Sequence, residues 1–401
     1  MAGLGRPLGL GLCLVLGCTQ APAPPDSGPA GPPDLGVKAA VVVPPGPPRR
    51  QANREELVQL EKKLSLMVQP GAIDPANPWA LAHGLAAYGP DFKAKNGRLA
   101  VDVIADFLET KKFGDRTVYF FPEKTKDGTP VEPHPSMITK KMIEAGVPMS
   151  RVFKPKGKGK VTLEQLIRDR ELEFTIPTTP EGWRTFAWSF TDFLKTREGQ
   201  PNIEAAAGPL DINDLSRRAL FELEAETDFL LTLMKDARPD LLQKKKQGIY
   251  AHTCGGFHFV QAVLLGAKRI DDPEILARAR RQLDIARFRF DGERRIYQAM
   301  IRSQPQYRLL LLVQELKFYG HLLETFGFAR QWGVSEGSPE EETFVAEVAA
   351  DLADTVRELE SAFQTQDEIK AKLPQTYYDL IGDGCHAIRG VRLALQGYFR
   401  G

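Results

Sequence analysis

The chain has 401 residues, and its 53 Lys and Arg are balanced by 52 Asp and Glu. That balance excludes a general nucleic-acid binder and a strongly basic membrane-surface protein, both of which need an excess of positive charge. The length allows one large domain or two ordinary ones.

The N-terminus carries one positive residue, Arg6, followed by an apolar run from Leu8 to Leu16. The run is much shorter than the ~20 residues that cross a bilayer, so it predicts a secretory signal. It closes on Leu14-Val15-Leu16-Gly17-Cys18, which resembles the bacterial lipobox. The resemblance implies a signal peptide over 1–17, cleavage after Gly17 and a lipid-modified Cys18. Several acyl chains would then hold the protein, each buried methylene contributing ~0.8 kcal/mol. Thr19 stands where an inner-membrane protein of this class has Asp, so the expected location is the cell envelope at the outer membrane, on its periplasmic or surface face. Residues 19–50 hold ten of the thirty prolines. With Cys18 they read as an extended tether over 18–50, ~3.1 Å per residue where it is polyproline-like.

The remainder, 51–401, reads as one mainly α-helical domain. Asn77-Pro78, Thr179-Pro180, Asp272-Pro273 and Ser338-Pro339 each set a capping side chain before a proline at the first helical position. Ser338 with Glu341 further predicts a capping box. Phe344, Val348, Leu352, Val356, Leu359 and Phe363 form one apolar stripe at helical spacing, whereas residues 252–266 are almost free of charge. The first pattern fits an outer helix and the second a buried one. Five such pairs follow: 53–68 with 77–89, 98–110 with 180–197, 211–237 with 251–268, 272–292 with 307–329, and 339–364 with 376–399. Successive hairpins with buried inner partners predict an α/α toroid. The stretch 111–178 breaks the pattern. Residues 116–121 and 151–162 read as short strands, 162–172 as a helix, and the whole as a strand-containing insertion at one rim. Lys154, Lys156, Lys158 and Lys160 read as a solvated hairpin tip.

Five of the six histidines, His83, His252, His258, His321 and His386, fall on the expected inner helices, with His134 outside them. Both cysteines of the domain lie in glycine-flanked phrases. One runs from Tyr250 through His252 and Cys254 to His258; the other is Gly382-Asp383-Gly384-Cys385-His386. Thiolate and imidazole ligands suit Zn²⁺, so Cys254, His258, Cys385 and His386 are candidate metal ligands. Cys385-His386 with an earlier cysteine on another inner helix resembles the zinc site of lanthionine synthetase cyclases. That resemblance implies zinc on Cys254, Cys385 and His386 in a toroid. The chain departs from the family in having Ala387 after the pair and Thr253-Cys254-Gly255 around the first cysteine.

Three other readings stand beside it, the plainest being packing, with hydrogen-bonded core histidines and unpaired, buried thiols. In an oxidising compartment a Cys254–Cys385 disulfide would staple the third hairpin to the last, and the protein would be a non-enzymatic envelope scaffold. Alternatively, Tyr250 with His252, Tyr319 with His321, and Asp383 with His386 would perform acid–base chemistry on a polymer, as in toroid polysaccharide lyases. The expected partners are the membrane, through the lipid, and a small molecule, peptide or glycan in a central pocket. No phosphate-binding glycine loop, Gly-x-Ser-x-Gly, His-Glu-x-x-His or Cys-x-x-Cys occurs, so nucleotide, serine-hydrolase, zincin and thioredoxin-like functions are not expected.

Overall fold

The computed structural model describes residues 49–197 and 199–399. The signal, Cys18 and all of the proline-rich tether before residue 49 lie outside them. The described chain begins with α1 (Arg54–Ala72), α2 (Pro78–Tyr88) and α3 (Ala100–Ala105), then the hairpin β1 (Glu109–Phe113) and β2 (Arg116–Phe120). After it come α4 (Met137–Glu144), the two-residue strands β3 (Val152–Phe153) and β4 (Val161–Thr162), α5 (Leu163–Leu172) and α6 (Pro180–Thr196). A third antiparallel hairpin, β5 (Asn202–Ala205) with β6 (Gly208–Asp211), precedes α7 (Ile212–Lys235). The rest is helical: α8 (Phe257–Ile270), α9 (Pro273–Ser303), α10 (Arg308–Gln331), α11 (Pro339–Glu358), α12 (Glu360–Gln364), α13 (Gln366–Lys372) and α14 (Pro374–Gly397).

The start signals act as expected. Asn77, Thr179, Asp272 and Ser338 each accept a hydrogen bond from a backbone N–H in the first turn of α2, α6, α9 and α11. Only half of the expected capping box forms at Ser338. Ser338 accepts from the Glu341 N–H, but the Glu341 carboxylate accepts from the Ser335 and Tyr398 hydroxyls instead. Those hydroxyls are buried partners, whereas a Ser338 N–H can be satisfied by water.

The helices make a closed ring. α2 packs on α4, α4 on α6, α6 on α8, α8 on α10, α10 on α14, and α14 returns to α2. α1, α5, α7, α9 and α11 lie outside them, each against inner neighbours. This is the mainly α architecture with small strands that the hairpin pattern predicts. Several bounds differ: α8 starts at Phe257 rather than 251, α9 runs on to Ser303 rather than 292, and the helix expected over 339–364 is split into α11 and α12. Residues 109–110, expected to end a helix, open β1 instead. The segment read as a rim insertion supplies α4, a sixth inner helix, because Met137, Ile138 and Met142 bury an apolar face although Lys140, Lys141 and Glu144 interrupt it. Among the described residues no helix is long and apolar enough to cross a membrane.

A glycine lets α10 and α14 approach closely. A Cβ on Gly390 of α14 would lie 2.7 Å from the Gly320 carbonyl oxygen and 2.9 Å from the Glu324 nitrogen. The backbones of α10 and α14 therefore touch, which brings His321 and Glu324 against His386.

Candidate metal centre

The middle of the ring is charged rather than apolar. His83 of α2, His258 of α8, His321 of α10 and His386 of α14 are all buried there. The ring centroids of His258 and His321 lie 4.9 Å apart, those of His321 and His386 4.0 Å, and those of His83 and His386 5.5 Å. A small pocket with room for about one water molecule lies beside them, lined by Trp79, His83, His134, Met137, Trp188, Thr253, Cys254, His258, Asp379, Asp383 and His386. His134, outside the expected set, joins the wall by stacking on Trp188 at 4.2 Å.

Two ligand groups arise. The side-chain donors of Cys254, His258 and His321 lie within 4.8 Å of one another, as do those of His321, Glu324 and His386. The second group is already satisfied. His386 Nδ1–H donates to Glu324 Oε2 at 2.9 Å, and the Lys141 ammonium donates to His386 Nε2 at 2.8 Å. Arg389 stands 3.3 Å from the other Glu324 oxygen. A cation entering there would face a lysine and an arginine. Burial holds His386 well below the ordinary imidazole range and pushes Lys141 down to about 8. Burial alone would raise Glu324, but His386 and Arg389 hold it well below the usual carboxylate range.

The first group is less tightly engaged. Nδ1 of His258 is buried without a hydrogen-bond partner among the described residues, and no contact of the ring nitrogens of His321 with a carboxylate is shorter than 3.5 Å. Burial keeps His258 neutral, well below the ordinary range. Behind His321 stand two carboxylates, Asp383 Oδ1 at 3.5 Å from Nε2 and Glu324 Oε2 at 3.5 Å from Nδ1. Burial would depress His321, yet these carboxylates raise it, so a proton competes with a metal ion for that ring. A carboxylate behind a ligand imidazole is the usual outer shell of a metal site. Tetrahedral zinc sets its ligand atoms ~3.3–3.6 Å apart, given bonds of ~2.0–2.3 Å, so a closure of about 1 Å completes the triad.

Cys254 reaches this position through an unusual turn. Cys254, Gly255 and Gly256 have φ of 53°, 61° and 79°, three left-handed residues in succession, and α8 starts only at Phe257. The thiol and His258 were expected to share a helix face. They meet instead because the turn curls the thiol back over the first turn of α8.

Several expected site residues go elsewhere. Cys385 does not join the ligands: adjacent residues on α14 point ~100° apart, and His386 takes the inward direction. Cys385 is buried in the core near Tyr88, where burial pushes its thiol up to about 12. Neither Cys254 nor Cys385 is in a disulfide, so the expected Cys254–Cys385 staple is not formed. His252 stacks on Phe259 and faces Glu226 at 3.7 Å. Tyr250 lies beneath Arg289 at 4.9 Å and Tyr319 against Phe290 at 5.9 Å; neither lines the pocket, so the expected Tyr–His pairs are not made there. Asp383 is at the site, 3.4 Å from Lys317.

Glu324, Lys141 and Arg389 were not foreseen. Their signal is helical spacing: Glu324 follows His321 by three residues and Arg389 follows His386 by three, which sets each on the face of its histidine. Comparison with known proteins matched no family model, no curated protein and no solved structure.

Proposed function

We propose that the helical ring carries a mononuclear metal centre with Cys254, His258 and His321 as ligands and zinc as the resident ion. The observation that carries the reading is the convergence of two buried imidazoles, His258 and His321, on a thiol, with His258 Nδ1 lacking a hydrogen-bond partner. One thiolate and two imidazoles suit zinc, and three protein ligands leave a fourth position, as in catalytic zinc sites. That position would open onto the pocket. Bound zinc would supply a Lewis acid and an activated water there. The residues of this chain supply the rest. The carboxylate, Asp383 or Glu324, that faces the nitrogen of His321 turned away from the metal orients that ring, and the wall of Trp79, Trp188, Met137 and His134 excludes bulk water. The chain Lys141–His386–Glu324 stores a proton beside the cavity.

The same proposal puts the protein on a membrane through lipid at Cys18, in the envelope of a bacterium, with a small molecule, peptide or glycan as its partner. This part rests on the sequence of residues 1–50.

The direct test is metal analysis of the full-length protein purified without chelator, followed by replacement with Co²⁺. The reading expects about one ion per chain and a tetrahedral cobalt spectrum with a thiolate band. A protein that retains no ion and takes up neither Zn²⁺ nor Co²⁺ at micromolar concentration refutes it.

A metal-free reading has one observation in its favour, the Glu324–His386–Lys141 chain itself. A carboxylate that orients an imidazole bonded to an amine is an acid–base device. Activity that survives complete removal of metal would favour that reading over the first.

A further inference from the structure

Arg289 of α9 reaches the turn that carries Cys254. Its Nη1 donates to the Gly255 carbonyl at 2.9 Å and its Nε to Glu293 at 2.9 Å. The guanidinium lies over the rings of Tyr250 and Phe257, 4.9 Å and 4.8 Å from their centroids. Glu293 is fully buried and also meets the Lys244 ammonium at 2.9 Å. Arg289 is thus clamped from behind by a carboxylate and on its faces by aromatic rings, with one N–H aimed at the backbone of the turn. A buried guanidinium needs every partner it has, because an unpaired buried charge is costly.

The turn has reason to need a clamp. Cys254 has a side chain and yet sits at φ 53°, a region L-residues avoid. Gly255 is required twice over, since it too is left-handed and a Cβ there would come within 2.8 Å of Arg289 Nη2. Relaxed to a right-handed or extended conformation, the turn would swing the thiol away from His258 and His321.

We propose that Arg289 is a positioning residue of the metal centre: its hydrogen bond to the Gly255 carbonyl holds the left-handed turn that brings Cys254 against His258 and His321. The inference rests on the metal reading above and adds the residue that presents the thiolate. Arg289 touches no ligand atom; it acts through the backbone.

The test compares Zn²⁺ affinity, by chelator competition, and the thiolate-to-cobalt band in the full-length wild type and three variants, with melting temperatures measured alongside. In Arg289→Lys the single ammonium serves Glu293 or Gly255 but not both, so Zn²⁺ affinity falls ~10–100-fold, the range for groups that orient ligands, and the cobalt band weakens. Gly255→Ala, whose methyl group would push Arg289 Nη2 off the turn, gives the same loss, and it stands in if Arg289→Lys does not fold. Leu352→Ala, a core truncation in the outer helix α11, lowers the melting temperature but keeps wild-type Zn²⁺ affinity within about twofold. Wild-type affinity in Arg289→Lys or Gly255→Ala overturns the proposal, as does a loss in all three variants that merely follows their melting temperatures. A wild type that binds neither ion overturns the metal reading and this proposal together, and is thereby distinct from a failure of Arg289 alone.

Discussion

The imidazoles of His258 and His321 meet nearly at right angles, 84° between planes, on helices from different hairpins. The two rings do not hydrogen-bond to each other, and His258 Nδ1 has no hydrogen-bond partner. The proposed ion would bridge them. His321→Ala and His258→Ala should each lower Zn²⁺ affinity more than ~100-fold, beyond the effect of losing an outer-shell partner. Cys385→Ser should stay within about threefold of wild type, because that thiol is in the core. Isothermal titration of Zn²⁺ into the apo-proteins separates these outcomes; equal losses in Cys385→Ser and His321→Ala would sink the assignment.

Local features were the legible ones. A cap is set by the residue itself and its next three neighbours, so Asn77, Thr179, Asp272 and Ser338 announced their helices. The inner helices were readable as uncharged stretches, and they carried His83, His258, His321 and His386 into the ring. What failed was inference from adjacency in sequence. Cys385 and His386 look like a ligand pair in the chain, but the helical period turns one away from the other. His252, close to Cys254 in sequence, ends against Phe259. Lys140, Lys141 and Glu144 hid α4, because charges usually mark a solvated face. Here Lys140 and Glu144 pair at 2.5 Å while both are buried. A buried polar centre reverses the rule from which burial is read, so the site was less legible than the fold that surrounds it.

Gly390 tests how closely α10 and α14 must approach. A methyl group there meets two backbone atoms, Gly320 O at 2.7 Å and Glu324 N at 2.9 Å, neither of which can rotate aside. Gly390→Ala should therefore cost about 3 kcal/mol, the upper end for an overpacked core, and should also reduce bound metal by shifting His321. Urea unfolding midpoints read the first effect. A loss below ~1 kcal/mol would show that the helices can separate freely.

Two buried carboxyls give a pH signature with a definite sign. Burial raises both Glu132 and Glu315 to about 7, whereas in the unfolded chain each titrates near 4.3. Between these values the folded protein holds protons that the unfolded chain has released. Their contribution is thus fully present below about pH 4.3 and is lost as pH rises through about 7. Buried neutral histidines such as His83 and His258 contribute the opposite slope, so the informative quantity is a difference. Glu315→Gln, whose amide oxygen can still accept from Thr355, should be more stable than its parent at pH 8 by about 1–3 kcal/mol and nearly equal to it at pH 4.5. Denaturant unfolding at the two pH values decides it, and a variant whose advantage does not grow with pH contradicts the raised value.

Cys18 is tested by where the protein goes. If Gly17-Cys18 is a lipobox, Cys18→Ser removes the acyl chains, and no other force is available to replace them. With Arg6 cleaved away, the mature chain has 52 basic and 52 acidic residues, so a charged lipid surface offers little attraction. No helix of the described residues can insert across the bilayer. One acyl chain holds a protein only marginally and several hold it firmly, so the substitution should act as a switch. Wild type should sediment with membranes and label with a palmitate analogue, while Cys18→Ser should be unlabelled and recovered in the aqueous fraction. Label persisting on Cys18→Ser would mean that the acceptor is another residue and that the tether begins elsewhere.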